Sequence, residues 1–341
     1  MKRVRSRAPL RLGLAGGGTD VAPFCNIYGG KLINITMSRY AYTLIESKED
    51  GQIEFNSIDQ NIKISYQLDE EFKKDRKVIL LESCYEFTMD KYNKGNRLPL
   101  SLKTLSDCPV GSGLGASSTL VVSILSALRE FLGLSIDKNI IAADSYHVER
   151  IICKQAGGRQ DQYSATLGGL NFMEFGDLDR NIVTPIKVEP WILQELECSL
   201  LLYSSKLSRD SSLIIKEQSR IQKTTNNFSA MEKLKNEAER MRDYLINGDF
   251  DGIAGSLRST WEAKKETSDL VTNDLLNNIY ASAIDAGASA GKVSGAGGGG
   301  FMMFLIPPEK RNDVINGLDK YNGVIRNCHF SFKGCEAWTI N

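Results

Sequence analysis

The feature that most constrains this chain is the segment PVGSGLGASST, residues 109–119, in which three glycines separate a β-like run from an amphipathic helix. After the segment, apolar residues recur at the spacing of one helical face, at Val121, Ile124, Leu125, Leu128, Phe131 and Leu132. Glycine allows a backbone to pass close to a ligand, and the first turn of a helix presents unpaired N–H groups and the positive end of the helix dipole to an anion. The segment therefore predicts a phosphate-binding loop at a helix N-terminus.

Two other kinds of phosphate-binding loop share parts of this pattern. A Walker A loop would end in Gly-Lys-Ser/Thr, whereas residues 116–118 read Ala-Ser-Ser. A dinucleotide-binding loop fits Gly111, Gly113 and Ala116, but it also requires an acidic residue about 20 positions later, at the end of a second parallel strand. The acidic residue at that distance, Asp137, stands where a helix is predicted to begin. The pattern therefore disfavours both an ordinary P-loop protein and a dehydrogenase.

Two further glycine-rich segments lie far from the first in the sequence. Residues 294–300, SGAGGGG, follow Lys292 and precede a β-like run, so they indicate either a hairpin turn or a backbone that passes close to a bulky ligand. Residues 9–20, PLRLGLAGGGTD, place Arg11 before a glycine turn that ends in a threonine and an aspartate. This set of a cation, a hydroxyl and a carboxylate suits a polyol, although an ordinary turn is also compatible with it.

The rest of the chain mixes helical and strand periodicity. Alternating or continuous apolar runs predict strands over residues 32–45, 62–68, 98–102, 170–175, 198–203 and 301–306, and near 330–340. Apolar residues three and four positions apart predict helices over 119–132, 137–155, 231–245, 253–264, 275–286 and 312–320. This order favours an α+β protein. The polar loop at residues 176–181, GDLDRN, predicts a boundary between two domains, 1–180 and 181–341. Two domains are also expected from a length of 341 residues.

Charge, apolar runs and the content of cysteine and histidine limit the kinds of ligand and binding partner that the chain can have. The chain has 42 basic and 42 acidic residues that are interspersed, which argues against nucleic acid or an anionic membrane and favours a small molecule. The longest apolar run, 301–306, is far shorter than the ~20 residues of a membrane span. Seven scattered cysteines without a Cys-x-x-Cys pair and two histidines disfavour a disulfide framework or a zinc site. Residues 1–7 lack the apolar stretch of a secretion signal, so we expect a cytoplasmic protein.

The three glycine-rich blocks, in this order, resemble the GHMP kinases, the superfamily of galactokinase, homoserine kinase, mevalonate kinase and phosphomevalonate kinase. The middle block is similar to the P-x-x-G-L-G-S-S-A phosphate loop of that family, and the resemblance extends from Pro9 to Phe304. It implies a two-domain fold, with a ribosomal S5 domain 2-like N-terminal domain and a ferredoxin-like C-terminal domain that closes the substrate cleft. It also implies ATP as the phosphoryl donor and Mg²⁺ as the metal.

A fourth segment, GGRQDQYSATLGG at 157–169, is similar to the G-x-x-D-Q block of the sugar kinases in this family. The resemblance implies that Asp161 is the catalytic base, that Arg11 offsets negative charge near the transferred group, and that Glu149 and Ser118 bind the metal. It implies ATP binding by Pro109, Gly111, Ser112, Gly113, Leu114, Gly115, Ala116, Ser117 and Ser118. It implies sugar binding by Gly17, Gly18, Thr19, Asp20, Gly297 and Gly298.

The wording of the first and fourth blocks most resembles the branch of the family that phosphorylates a heptose 7-phosphate at its anomeric C1 hydroxyl. Galactokinase fits less well, because Gly-Glu-His-Thr-Asp in its first block is replaced here by residues 16–20, Gly-Gly-Gly-Thr-Asp. A fucokinase-like or galactokinase-like 1-kinase and a non-catalytic sugar and ATP sensor remain open, as does a homodimer. A substrate phosphate would need a basic pocket, for which the candidates are Lys31, Arg39, Arg150, Lys154 and Arg159.

Overall fold

The structure, a computed structural model, describes residues 1–74, 77–109, 111–177, 180–207, 211–221 and 225–340. Its strands are β1 Arg3–Ala15, β2 Gly30–Ser47, β3 Gln52–Ser57, β4 Ile62–Gln67, β5 Leu100–Ser106, β6 Leu170–Phe175, β7 Asn181–Pro185, β8 Leu200–Ser204, β9 Ala290–Val293, β10 Phe301–Leu305, β11 Val324–Asn327 and β12 Glu336–Ile340. Its α-helices are α1 Phe24–Tyr28, α2 Ile79–Tyr92, α3 Ala116–Leu132, α4 Lys138–Tyr146, α5 Gln160–Leu167, α6 Pro190–Ser199, α7 Ser211–Ile221, α8 Thr225–Asn247, α9 Phe250–Lys265, α10 Asp274–Asp285 and α11 Arg311–Asp319. The predicted α+β class is confirmed.

The first sheet is built on two long antiparallel strands, β1 and β2. Its strand order is β12-β1-β2-β5-β3-β4, and β6 pairs with the first half of β2 and with β7. The ladder between β1 and β2 shifts register between Pro9 and Arg11, as at a β-bulge, and the main-chain N–H of Arg11 donates instead to the carbonyl of Leu114, at 3.2 Å. Irregularities of this kind re-aim side chains next to functional sites. This one ties β1 to the glycine-rich segment that precedes α3.

The second sheet has the antiparallel order β11-β8-β10-β9. It packs its own apolar core around Tyr203, Trp261 and Phe304. A larger core joins both sheets, since buried side chains of β1 and β2 contact those of β8, β10 and the helices α8 and α9. Burial of this shared apolar surface fixes the two sheets relative to each other. Among the described residues, no helix is both long enough and apolar enough to span a membrane.

Two strands from beyond residue 180 belong to the first sheet. β7 pairs with β6, and β12 pairs with β1 in the register Arg3↔Ile340 to Arg7↔Glu336. The second half of the chain thus returns to the first sheet at its end. The boundary at residue 180 stays a prediction. Leu178 and Asp179, within the segment that suggested this boundary, lie outside the described residues.

Several predicted element limits are wrong, for local reasons. The helix predicted over 137–155 is capped by Asp137 from outside, becomes a π-type turn over His147–Ile152 and ends there. The strand predicted over 198–203 begins at Leu200, because the two residues before it close α6. The strand predicted near 330–340 is confined to β12, because residues before it run past β2, where the N–H of Ser331 donates to the carbonyl of Thr36.

Candidate active site

A cleft of about 1020 Å³ lies between the first sheet, its helices and the second half of the chain. All three glycine-rich segments and the start of α5 contribute to its walls. Pockets for a single small molecule usually measure roughly 300–1,000 Å³. The cleft lies at the upper end of this range.

The phosphate-loop segment, residues 111–118, lies at the N-terminus of α3. Gly111, Gly113 and Gly115 have φ values of 82°, 78° and 78°, a left-handed conformation that glycine adopts without strain. Gly115 precedes the first residue of α3, and no side chain of the described residues caps that end of the helix. The first main-chain N–H groups of a 17-residue helix are therefore left to a ligand, and the helix dipole favours an anion there.

Arg11 and Asp161 form a nearly buried ion pair against this loop. Nε of Arg11 donates to Oδ1 of Asp161 at 2.7 Å, Nη2 makes an ion-pair contact with the same oxygen at 2.6 Å, and Nη1 donates to the carbonyl of Gly113 at 2.7 Å. A Cβ atom on Gly115 would stand 3.2 Å from Oδ2 of the Asp161 carboxylate. The Arg11 guanidinium contacts Oδ1 of Asp161, whereas Oδ2 lies beside the N-terminus of α3.

Asp20 links the first glycine-rich block to the helix that carries Asp161. Its carboxylate accepts hydrogen bonds from the main-chain N–H groups of Arg159 at 2.9 Å and Gln160 at 3.0 Å, from the Gln160 side chain at 3.1 Å and from the N–H of Gly18 at 3.3 Å. These bonds place an anion at the positive end of α5, which is favourable. Asp20 therefore orients the first turn of α5 as well as lining the cleft.

Glu149 stands at the centre of a buried polar network behind the phosphate loop. Its carboxylate accepts from the Ser117 hydroxyl at 3.0 Å and from Nε2 of Gln162 at 2.6 Å, and it pairs with Arg150 at 3.1 Å. Gln162 also donates to the Ser118 hydroxyl, at 3.2 Å. The π-type turn in which Glu149 lies directs its side chain inward, where it is almost fully buried.

A magnesium ion is compatible with this network. Mg²⁺ prefers oxygen ligands and is usually held by one or two carboxylates together with substrate phosphates. The serine hydroxyls and the Glu149 carboxylate are such oxygens, next to the N–H groups suited to phosphate. Across the residues that the structure covers, no cluster of three acidic, histidine or cysteine side chains offers a metal cage of its own.

The third glycine-rich segment, residues 294–300, closes over the phosphate-loop segment from the second half of the chain. The Ser294 hydroxyl donates to the carbonyl of Gly113 at 3.0 Å, and the N–H of Phe301 donates to the carbonyl of Ser112 at 3.0 Å. A Cβ atom on Gly113 would stand 2.4 Å from the carbonyl oxygen of Ser294, so a side chain does not fit there. The glycines thus allow two backbones to meet at the phosphate loop.

Most residues predicted for the site do line this cleft: Arg11, Gly17, Gly18, Asp20, Pro109, Gly111, Ser112, Gly113, Gly115, Ala116, Ser117, Ser118, Glu149, Asp161 and Gly297. Three others lie behind its wall. Thr19 is fully buried and its hydroxyl bonds the carbonyls of Gly16 and Lys31, while Leu114 packs in the shared core. Gly298 is buried and donates its N–H to the carbonyl of Val271 at 2.7 Å. The roles assigned to all these residues stay predictions.

Beside β3, the apolar lining of the cleft does not come from the side chain of Phe55. Phe55 is fully buried in the core of the first sheet. The apolar lining of the cleft on this side comes instead from Leu80 and Leu81 of α2 and Leu120 of α3. The spacing of buried residues in α2, at 81, 84, 85, 88 and 89, is helical and was available in the sequence.

Two buried lysines of the cleft were not among the predicted site residues. Lys264 of α9 donates to the carbonyl of Gly17 at 3.1 Å, and Lys292 of β9 donates to the carbonyl of Gly13 at 2.7 Å. Burial lowers the pKa of Lys264 to about 8, although the nearby Asp20 carboxylate opposes this shift. Burial also lowers the pKa of Lys292, as do the charges of Lys264 and Arg11. A lysine within the apolar stripe of α9 was the signal that could have revealed Lys264.

Known proteins share both the sequence and the fold. Residues 79–169 match the GHMP kinases N terminal domain, and residues 241–323 match the GHMP kinases C terminal domain. The chain is 41% identical over 340 residues to D-glycero-alpha-D-manno-heptose 7-phosphate kinase of Campylobacter jejuni, covering 100% of both chains.

Two solved structures extend this comparison. A D-glycero-D-manno-heptose 1-phosphate kinase from Bacteroides thetaiotaomicron superposes with a TM-score of 0.85, at 37% identity and over 99% of both chains. The mevalonate kinase of Methanococcus jannaschii shares the fold, with a TM-score of 0.76 at 20% identity, over 96% of this chain and 98% of that one. The predicted two-domain architecture and the predicted family are both confirmed. The chain thus belongs to the GHMP kinase family, as an ATP-dependent sugar kinase.

Proposed function

We propose that this kinase transfers the γ-phosphoryl group of ATP to the anomeric C1 hydroxyl of D-glycero-D-manno-heptose 7-phosphate and gives the 1,7-bisphosphate. The product would be an intermediate of nucleotide-activated heptose synthesis for surface polysaccharide, in the cytoplasm. The observation that carries the proposal is the position of the Asp161 carboxylate, beside Gly115 and paired with Arg11. A base and a phosphate-binding helix end meet there, as phosphoryl transfer to an alcohol requires.

In this proposal the N–H groups of residues 111–118 bind the ATP polyphosphate. They need no side-chain charge, because the helix dipole and the left-handed glycines orient the donors before the nucleotide arrives. The third glycine-rich segment, which contacts Gly113 through Ser294, excludes water from the transferred group.

Asp161 accepts the proton of the C1 hydroxyl through Oδ2 while Arg11 holds Oδ1. The O–H bond of the sugar breaks as its oxygen bonds to the γ-phosphorus, and the bond from phosphorus to the bridging oxygen of ADP breaks. Arg11 also places positive charge beside the transferred group, which offsets its negative charge. Because Arg11 bonds both Asp161 and the carbonyl of Gly113, it fixes the distance between base and phosphate loop.

Glu149 and Ser118 are the proposed magnesium ligands, with Ser117 next to them. Mg²⁺, when bound there, neutralises phosphate charge. The ion pair between Arg150 and Glu149 offsets the charge of the buried carboxylate in the protein itself.

The names of the two heptose kinase relatives differ in where their substrate carries its phosphate. We favour the 7-phosphate as the acceptor, because the 41% identical relative bears that name and covers the whole chain. An ADP-release assay with heptose 7-phosphate, heptose 1-phosphate, free heptose, L-fucose and galactose tests the choice. We expect the highest kcat/KM with heptose 7-phosphate. A preference for heptose 1-phosphate or for a free hexose would contradict the proposal, and no ADP release with any sugar would favour a sensor.

The variant Asp161→Asn tests the role of the base. We expect kcat to fall by about 100- to 10,000-fold, since that is the usual contribution of a positioned base, while the KM for ATP changes little. The matched control is Asp137→Asn, because Asp137 caps the exposed end of α4 and asparagine caps helices equally well. Turnover of Asp161→Asn within a few-fold of the wild type would remove Asp161 from the mechanism.

A further inference from the structure

Helix α9 brings two polar side chains into the cleft from the second half of the chain. Thr260 and Lys264 both line the cleft, yet they are only 1% and 4% exposed. They are four residues apart, so they lie next to each other on one face of the helix. Within the described part of the chain, Oγ1 of Thr260 has no hydrogen-bond partner.

Lys264 has donors to spare and open space beside it. Its ammonium has three N–H donors, and the hydrogen bond that it makes goes to the carbonyl of Gly17. A Cβ atom on Gly17 would meet no atom of the described residues within 4 Å, and one on Gly18 would stand 3.6 Å from Nζ of Lys264. The missing side chains of the first glycine-rich block therefore leave room for a ligand next to the ammonium.

The charges around Lys264 favour an anion in that space. Asp161 is bonded to Arg11, and the Asp20 carboxylate accepts four hydrogen bonds at the start of α5. Lys264 and Lys292 are each hydrogen-bonded to a main-chain carbonyl instead. Burying an ammonium without a bonded carboxylate costs free energy, which an incoming anion offsets.

We propose that Thr260 and Lys264 form a phosphoryl-binding subsite that holds the phosphate already carried by the sugar substrate. The inference rests on the proposed function, in which the acceptor is a sugar phosphate. A phosphate monoester carries about two negative charges and three acceptor oxygens, which match a hydroxyl and an ammonium. The subsite lies at the first glycine-rich block, the predicted sugar end of the cleft, and not among the N–H groups suited to ATP.

The basic residues that the sequence suggested for this phosphate are placed less favourably. Lys31 and Arg150 pair with the carboxylates of other side chains, and Arg159 donates to a main-chain carbonyl and to an asparagine side chain. Arg39 lines a separate cavity of about 200 Å³. Lys154 does line the cleft, but it directly precedes Gln155, whose side chain accepts a hydrogen bond from the Ser117 hydroxyl of the phosphate loop.

The test compares heptose 7-phosphate with free heptose at saturating ATP. Lys264→Met should raise the KM for the phosphorylated sugar by about 10- to 100-fold, the worth of a charge-assisted hydrogen bond, and Thr260→Val should raise it by about 3- to 10-fold. The KM for free heptose and the KM for ATP should stay within about two-fold of the wild type. Lys265→Met is the matched control, since the next lysine of α9 pairs with Glu262 and lies over the ring of Trp261.

Each other outcome overturns the inference in a recognisable way. An unchanged preference for the phosphorylated sugar in both variants would place its phosphate elsewhere. A fall in kcat of equal size with both sugars would mean that Lys264 serves the γ-phosphoryl group of ATP. If Lys264→Met fails to fold, Thr260→Val and the neutral substitution Lys264→Gln give the same comparison. If the wild type shows no preference for the phosphorylated sugar, that result alone contradicts the proposed function, before any variant is measured.

Discussion

Substituting alanine for Gly115 perturbs the contact between the phosphate loop and Asp161. Gly115 has a φ of 78°, and its added Cβ would stand 3.2 Å from Cγ and Oδ2 of Asp161. Gly133, at the other end of α3, has a φ of 73° and no atom within 4 Å of its added Cβ. Both variants therefore incur the left-handed strain of about 1–2 kcal/mol, but only Gly115→Ala presses on the carboxylate.

The size of the effect follows from the distances. An ordinary carbon contact is about 3.5–4.0 Å, so the carboxylate must move by about 0.4 Å. Arg11 holds it through a hydrogen bond of 2.7 Å and an ion-pair contact of 2.6 Å, so the carboxylate cannot move away without lengthening them. If a misplacement of 1 Å costs about 100-fold in rate, kcat should fall by about 4- to 10-fold.

The assay is ADP release at saturating ATP and sugar, together with urea unfolding of the same samples. We expect similar losses in the free energy of unfolding for Gly115→Ala and Gly133→Ala, but a fall in kcat for Gly115→Ala alone. A wild-type kcat in Gly115→Ala would refute the reasoning, because the methyl group cannot occupy its place without displacing the carboxylate. Equal falls in both variants would trace the effect to the stability of α3 instead.

Two further predictions concern Asp20 and Lys264. Asp20→Asn should lower the free energy of unfolding by about 1–3 kcal/mol in urea, because one acceptor atom and the anion at the start of α5 are lost; stability equal to that of the wild type would contradict the cap. Above about pH 7, where the phosphate is already doubly charged, the KM for the sugar phosphate should rise as the pH passes 8. Burial lowers the pKa of Lys264 from 10.5 to about 8 beside Arg11, Lys292 and Asp20, and the neutral amine binds the phosphate weakly. The free energy of unfolding should rise over the same pH range, because the folded protein releases the Lys264 proton at a lower pH than the unfolded chain. Lys264→Arg should abolish the pH dependence of both the KM and the free energy of unfolding. If either dependence persists in that variant, it belongs to another group.

The sequence could predict the parts of the site that local patterns encode. The glycines of residues 111–115, followed by an amphipathic pattern, predict a loop that ends at a helix N-terminus. The structure contains that arrangement, with the three glycines in the left-handed conformation. The pairing of Arg11 with Asp161, 150 residues apart, could be expected from the family resemblance but not from periodicity. Their distance depends on the irregular ladder near Pro9, which no local pattern specifies.

The contribution of the second half could not be predicted in this way. Thr260 and Lys264 lie on the buried face of α9, where a lysine is unusual, but the sequence does not tell which surface that face meets. They reach the cleft because the shared core packs α9 against both sheets. The return of β12 to the first sheet is likewise a tertiary pairing, of register Arg7↔Glu336. For Thr19 the sequence suggested a ligand contact that the fold does not make available. Its hydroxyl suits a polyol, but it forms hydrogen bonds with main-chain carbonyls.

The central claim is that the N–H groups of the phosphate loop bind the polyphosphate of ATP while Asp161 faces the acceptor hydroxyl. The most direct measurement is a crystal structure of the enzyme with a non-hydrolysable ATP analogue and heptose 7-phosphate. We predict that Oδ2 of Asp161 lies about 2.6–3.2 Å from the C1 hydroxyl oxygen, with the analogue's phosphates on residues 111–118. A nucleotide bound elsewhere, or a C1 hydroxyl that faces another base and lies out of hydrogen-bond reach of Asp161, would contradict the claim.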